Sequence, residues 1–157
     1  MDIKEYLLAQ DTISGQEGQV LATINGRKRV CAEIKSLKAK LDKTKHEVKT
    51  LGHRATQHKA TGWKGTGTVS FHYVTSEWAR MIIDYAKTGA DVYFDMLVVN
   101  EDPTSKAGRQ TVHLMQCNLD GADVANIDVD ANSLDGSFNF TFSDIDLADA
   151  FNEFPYR

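Results

Sequence analysis

The residues that could bind a metal ion form only incomplete ligand sets. Asp128, Asp130 and Asn132 have the spacing of the first half of an EF-hand loop. Ser133 and Asn139, however, occupy the positions where that loop requires a glycine and a bidentate glutamate. The spacing therefore does not predict a calcium site.

The histidines and glycines do not complete a catalytic pattern. His46 and Glu47 lack the second histidine of a zinc protease motif, and nothing near His53 or His58 would complete a zinc site. The glycine-rich stretch 62–67 does not join a strand to a helix, as phosphate-binding loops do. No nucleophile has a recognisable histidine and acid, although such triads assemble in space rather than in sequence. We expect a protein that is not an enzyme and that has no metal and no cofactor.

Length and composition predict a single globular domain over residues 1–157. The chain is 41% apolar and 25% charged, which is usual for a soluble domain. Residues 1–18 are predicted to form an N-terminal arm, and residues 147–157 a polar C-terminal tail. The N-terminus has acidic side chains and only a short apolar run, so we expect neither a signal peptide nor membrane insertion of the subunit.

The two cysteines are too few for a disulfide framework. Cys31 and Cys117 each stand in an alternating apolar stretch, which predicts reduced, buried thiols. Such thiols are expected of a protein made in the cytosol.

The net charge of −4 conceals two opposed blocks of charge. Residues 27–59 contain eleven Lys or Arg and three acids, whereas residues 112–157 contain one Lys or Arg and nine acids. Opposed blocks are typical of copies that attract each other through different faces, which builds rings and stacks. Two solvated faces of opposite sign are an equally good interpretation.

Alternating apolar and polar residues predict a mainly β protein with one helix. The clearest strand has Phe138, Phe140 and Phe142 on one face, and Asn25-Gly26 favours a two-residue hairpin turn. A helix is predicted over residues 76–88 because apolar residues recur at helical spacing and Gly89 follows. About eight strands with one helix indicate a β-sandwich or barrel with a flanking helix.

Residues 36–51 fit two structures. Leu37, Leu41 and Val48 lie near a heptad among good helix formers, but the same residues also alternate with lysines as in a strand. The neighbouring strands favour a long β-hairpin with its turn near Lys43-Thr44. A long inter-strand loop is then predicted at about residues 51–67, because this stretch is polar, basic and rich in glycine.

Long loops inside a compact domain are usually either functional or disordered. This loop contains Arg54, His58, Lys59 and an exposed-looking aromatic, Trp63. That combination predicts a surface that binds a partner. A further strand is predicted at residues 124–132, with Ile127 and Val129 buried and Asp128 and Asp130 on the opposite face.

Several stretches together resemble the tail tube proteins of contractile-tailed phages and phage-tail-like bacteriocins. The resemblance covers roughly residues 11–146, and the block from 48 to 75 is its most specific part. The matching residues include Asp11–Gly18, Ala32–Lys35, Val48–Arg54, Gln57–Gly62, Gly65–Thr68, Tyr73–Ser76, Asp84–Tyr85, Val129–Asp130 and Phe140–Phe142.

The resemblance implies stacked hexameric rings of a β-sandwich subunit that form the hollow inner tube of a tail. The tube would be the conduit for DNA in a phage and would perforate a membrane in a bacteriocin. It also implies tail sheath, baseplate and tail terminator proteins as partners. The protein would then belong to a virion or tail-like particle assembled in the cytoplasm of the bacterial host.

Two sets of residues are predicted to serve this assembly. Arg54, His58, Lys59 and Trp63 are expected between subunits or rings. Asp128 and Asp130 are candidates for the lumen wall, where acidic side chains would repel phosphates so that DNA passes without specific binding.

Two other functions remain open from the residues alone. The basic segment 27–59 could make the chain a nucleic-acid-binding β-domain, although only Trp63 is available nearby for base stacking. The many apolar positions also permit a β-barrel that binds a small molecule.

Overall fold

The computed structural model describes residues 7–153, which are mainly antiparallel β-strands with one α-helix, as predicted. A 3₁₀ turn (Ala9–Asp11) precedes the first strand. The other elements are β1 (Gly18–Ile24), β2 (Arg27–Val30), β3 (Ile34–Val48), β4 (Gln57–His72), α1 (Glu77–Thr88), β5 (Phe94–Glu101), β6 (Arg109–Ala122), β7 (Asp135–Phe142) and β8 (Asp144–Asp149). Parts of the predicted arm and tail, at 1–6 and 154–157, lie outside the described residues. Residues 147–149 of the predicted tail belong to β8.

The described chain divides into two compact units. The first contains residues 7–32, 92–115 and 144–153, and the second contains residues 33–91 and 116–143.

In the first unit, β1 pairs antiparallel with β2 and with β5. The predicted hairpin turn is confirmed, because Asn25 and Gly26 have φ angles of 51° and 79°. The first half of β6 pairs with β8. Asp102, which follows β5, binds the segment that precedes β1. Its carboxylate accepts hydrogen bonds from the backbone N–H groups of Ser14 and Thr104.

In the second unit, β4 lies between β3 and β7, and the second half of β6 pairs with the other edge of β7. Phe138, Phe140 and Phe142 are buried on one face of β7, as predicted. Helix α1 packs there through Trp78, whose ring centroid lies 4.7 Å from that of Phe138. The helix ends at Gly89, which has a φ of 75° and donates its N–H to the Tyr85 carbonyl oxygen.

Both cysteines are confirmed as buried thiols outside any disulfide, Cys31 in the first unit and Cys117 in the second.

The long hairpin differs from the prediction in the position of its turn. Residues 36–48 form one continuous strand, so the turn expected near Lys43-Thr44 is wrong. The predicted loop over residues 51–67 is also too long, because Gln57 onward is strand β4, paired to β3 from Val48 to Ile34. Its actual turn is at Leu51-Gly52, where Gly52 has the positive φ of 80° that a glycine tolerates. The polar, glycine-rich composition suggested a loop, but a strand exposed on both faces does not need apolar alternation.

The strand predicted at residues 124–132 is not present. These residues form an irregular connection with a turn at Val129-Asp130. Ile127 and Val129, which were expected to be buried, are each 95% exposed. Asp128 is the physical reason, because its carboxylate accepts the N–H of Asp130 at 3.0 Å and stabilises a turn in place of a strand.

Candidate assembly interface

The β3–β4 hairpin extends beyond the sheet that supports it. The β4–β7 ladder covers Gly65 to His72, whereas the β3–β4 ladder continues outward as far as Gln57. The residues 57–64 therefore project by about 25 Å at the usual rise per strand residue. All side chains of this projecting part of β4 are exposed.

Most of the predicted interface residues lie on this projection. His58 and Lys59 pair with Glu47 and His46 near its outer end, and Arg54 is exposed in the turn beyond them. Trp63 lies nearer the sheet, and its ring centroid is 6.1 Å from that of Phe142. The structure thus places all four predicted interface residues on the β3–β4 hairpin, but it does not bring them together in one cluster.

The ring of Trp63 forms the edge of an apolar surface. The indole is 43% exposed although it contacts Phe142. Gly65 pairs with Leu41, which is also exposed. Trp63, Gly65 and Phe142 line an open groove together with Thr141 and Ser143.

The connection at residues 123–134, called the acidic loop below, is ordered by its own hydrogen bonds. Asp123 accepts the N–H of Ser137 at 3.1 Å, and the Asn126 side-chain amide donates to the Asp135 carbonyl oxygen at 2.8 Å. Together with the turn at Asp128, these bonds hold Ile127 and Val129 in solvent. Ile127 and Val129 are therefore two aliphatic side chains, two residues apart, that are each 95% exposed on an ordered loop.

Both candidate lumen residues lie in this acidic loop, and both are exposed. The strand that suggested their position is absent, and the structure of a single chain does not test whether they face a lumen. The lumen assignment therefore stays a prediction. The reasoning from sequence missed Ile127, Val129 and Leu51 as exposed apolar residues. The Asp-x-Asp-x-Asn spacing at 128–132 was the available signal, because Asp and Asn favour turns over strands.

Beside the acidic loop, an ion pair links side chains of β3, β4 and β7. Lys35 Nζ lies 2.9 Å from Asp135 Oδ2, and His72 Nδ1 lies 3.6 Å from Asp135 Oδ1. The hydrogen bond from Lys35, supported by the positive charge of Lys35 and by the nearby His72, lowers the pKa of the Asp135 carboxyl below its ordinary value.

The described residues contain no cluster of three or more His, Cys, Asp or Glu side chains that could hold a metal ion. Between residues 7 and 153, helix α1 is too short and too polar to cross a membrane.

The fold defines the class as an antiparallel β protein with one helix and a long hairpin that projects from the sheet. Residues 5–149 match the family described as phage tail tube protein. The phage-like element PBSX protein XkdM of Bacillus subtilis (strain 168) is 40% identical over 147 residues, which cover 94% of this chain and 97% of that protein. The chain belongs to the phage tail tube protein family.

Two solved structures share the fold at low sequence identity. A chain from the sheath–tube complex of an extracellular contractile injection system in its extended state has a TM-score of 0.63 at 9% identity, with 84% of this chain and 88% of that chain covered. A chain from the six-fold symmetrised baseplate of the anti-feeding prophage has a TM-score of 0.60 at 12% identity, with 83% and 91% covered. The protein is a structural component of a phage tail or a tail-like particle.

Proposed function

We propose that copies of this chain form hexameric rings that stack into the hollow inner tube of a contractile tail. The observation that supports this most directly is the family match over residues 5–149, together with a basic hairpin that projects from the second unit. The six-fold symmetry of the baseplate whose chain shares this fold agrees with a ring of six. In a phage the tube would be the conduit for DNA ejection, and in a bacteriocin it would perforate a membrane.

Closure of one barrel across subunits would remove exposed sheet edges. β3 stands at the end of the strand order of the second unit, so its outer edge presents backbone hydrogen-bonding groups that a neighbouring copy could satisfy. Such edges otherwise promote uncontrolled aggregation, and a closed barrel has none. The single tail-tube domain is then functional as a member of a ring.

Arg54, His58, Lys59 and Trp63 are the residues that we propose for contacts between subunits or rings. All four are exposed in the single chain, and Arg54, His58 and Lys59 lie near the outer end of the projecting hairpin. Asp128 and Asp130 stay candidates for the lumen wall, where carboxylates would keep DNA from binding.

The partners that follow from this function are the tail sheath, the baseplate and the tail terminator. A sheath–tube complex is the source of one chain that shares this fold. The role is structural, so we expect no enzymatic activity and no cofactor.

Assembly of the full chain tests the proposal. Negative-stain images at rising concentration should show six-fold rings and tubes. The charge-reversal variant with Arg54→Glu and Lys59→Glu should not form tubes, while its circular dichroism spectrum should stay unchanged. The matched control, Arg27→Glu with Lys28→Glu, changes exposed charges of the same basic block on β2 and should leave growth intact. A wild-type chain that stays monomeric at all concentrations would refute the function.

A further inference from the structure

The acidic loop has an exposed surface that the tube function does not explain by itself. We propose that the tip of the β3–β4 hairpin of one copy docks on the acidic loop of the next copy, so that the chains associate head to tail. The inference rests on the proposed function and names the partner surface for the hairpin.

The strand register places the two surfaces at opposite ends of the second unit. The hairpin tip follows the pair Val48 and Gln57, at one end of the β3–β4 ladder. The acidic loop leads into Asp135, which pairs with His72 at the other end of β4. β4 has 16 residues, so these ends are about 50 Å apart at the usual strand rise. A head-to-tail contact requires two different surfaces at opposite ends, and this arrangement provides them.

The hairpin tip offers a positive charge around an apolar residue. Residues 49–56 contain Lys49 and Arg54 and no acid. Leu51 stands at the turn and is fully exposed, with Lys49 and Arg54 exposed on either side of it in the chain. An exposed leucine surrounded by cations fits an apolar surface bordered by acids.

The acidic loop offers that surface. Its residues 123–134 contain three Asp and no Lys or Arg. Ile127 and Val129 alternate with Asp128 and Asp130, and all four side chains are exposed. The hydrogen bonds of Asp123, Asn126 and Asp128 hold the loop in shape, so docking costs it little conformational entropy.

A second copy is the occupant that the charges favour. Tip and loop have opposite charge and both expose aliphatic side chains, so each supplies what the other lacks. One copy has a single tip and a single loop, and the contact therefore repeats without limit along an axis. Docking would place Asp128 and Asp130 at a junction between copies. This assignment is based on the exposure of both side chains in the structure, whereas the lumen assignment was based on a strand that is absent.

A charge-exchange experiment with the full chain tests this pairing. The tip variant carries Lys49→Glu and Arg54→Glu, so that both its tip and its loop are acidic. The loop variant carries Asp128→Lys and Asp130→Lys, so that both are basic. Each variant alone should raise the concentration needed for assembly by at least about tenfold, because like charges then face each other. An equal mixture should assemble at nearly the wild-type concentration, since every junction between the two variants is complementary.

The matched control replaces the loop variant by Asp144→Lys with Asp146→Lys, which reverses two exposed acids on β8. This control keeps a basic tip and an acidic loop, so it should assemble alone like wild type. It should not draw the tip variant into growing assemblies except at their ends, because the loop stays acidic in both chains and the acidic tip finds no basic loop. Sedimentation velocity and negative stain give the readout, and circular dichroism shows that each variant is folded. A loop variant that assembles like wild type, an exchange mixture that stays unassembled, or a control mixture that incorporates the tip variant as fully as the exchange mixture does would overturn the pairing. Failure of the wild type to assemble would instead refute the tube function.

Discussion

The ring of Phe140 on β7 lies directly over Gly67, its partner on β4. The two residues face each other in the strand register, and a methyl group added to Gly67 would penetrate the ring. Phe142 lies over Gly65 in the same way, two pairs further along the ladder. Gly65 and Gly67 thus make room for aromatic rings that cover the sheet.

Gly67→Ala should destabilise the protein by about 1–3 kcal/mol, the usual cost of overpacking a core. The backbone gives little room for relief, because the neighbouring pairs of the ladder hold both strands in place. The midpoint of urea unfolding measures the effect.

Gly62→Ala is the matched control on the same strand. Nothing lies within 4 Å of a methyl group at Gly62, so its stability should stay within about 0.5 kcal/mol of wild type. Equal midpoints for the two variants would contradict the role assigned to Phe140.

The elements that were predicted correctly are those whose residue pattern is explained by a single physical requirement, such as burial of one face or a left-handed backbone conformation. β7 alternates because one face covers a core, and helix α1 ends at Gly89 because the left-handed conformation suits glycine. The turn at Asn25-Gly26 was predictable for the same reason. The resemblance of residues 48–75 to tail tube proteins predicted the family correctly.

Exposed elements were predicted poorly because solvent places few demands on their residues. β3 is exposed on both faces over most of its length, so Leu37, Leu41 and Val48 fitted a helix and a strand equally well. At residues 124–132 the alternation of Ile127 and Val129 implied burial, but the local bonds of Asp128 decide the structure. Both failures fall on the elements that we propose for assembly.

Acid should weaken the link between Asp102 and Ser14. Backbone N–H groups of Ser14 and Thr104, in that order, lower the pKa of the Asp102 carboxyl from its ordinary value of 3.8. A lowered pKa means that the stabilisation is complete above the ordinary pKa and is lost as pH falls through the lowered value.

Asp102→Asn removes the charge but keeps an acceptor. The variant should unfold at lower urea than wild type at neutral pH, and the difference should shrink as the pH falls below 3.8. The neighbouring exposed Glu101→Gln removes the same charge and is the control, and it should unfold at nearly the wild-type urea concentration at neutral pH. A constant difference between Asp102→Asn and wild type at all pH values would show that the carboxylate charge is irrelevant.

The pKa of Asp135 should rise when its lysine partner is removed. In Lys35→Met the 2.9 Å hydrogen bond and the positive charge are both lost, so the pKa should return toward 3.8. Titration of the Asp135 side-chain carbon by NMR gives the value directly. In wild type the stabilisation by this pair is complete above the ordinary pKa and disappears as pH falls through the lowered one.

His72→Gln is the comparison for Lys35→Met. His72 lies 3.6 Å from the other carboxylate oxygen and contributes less than Lys35, so its loss should raise the pKa by a smaller amount. An Asp135 pKa that is the same in Lys35→Met and wild type would show that the ion pair does not persist in solution.

Trp63 should report assembly by fluorescence. Its indole is 43% exposed in the single chain, whereas the other tryptophan, Trp78, is completely buried against Phe138. Quenching by acrylamide in the unassembled chain therefore comes mainly from Trp63. If the hairpin lies between copies in the tube, assembly should protect Trp63, so that quenching falls and the emission shifts to shorter wavelength.

Trp63→Phe is the control, because phenylalanine keeps an aromatic ring beside Phe142 and leaves Trp78 as the single tryptophan. Its weak quenching should be the same before and after assembly. Assembled wild-type tubes that are quenched as strongly as the free chain would place Trp63 on the open surface of the tube. In that case the apolar groove beside Phe142 would face solvent or another tail protein, and the contact between copies would be confined to the outer part of the hairpin.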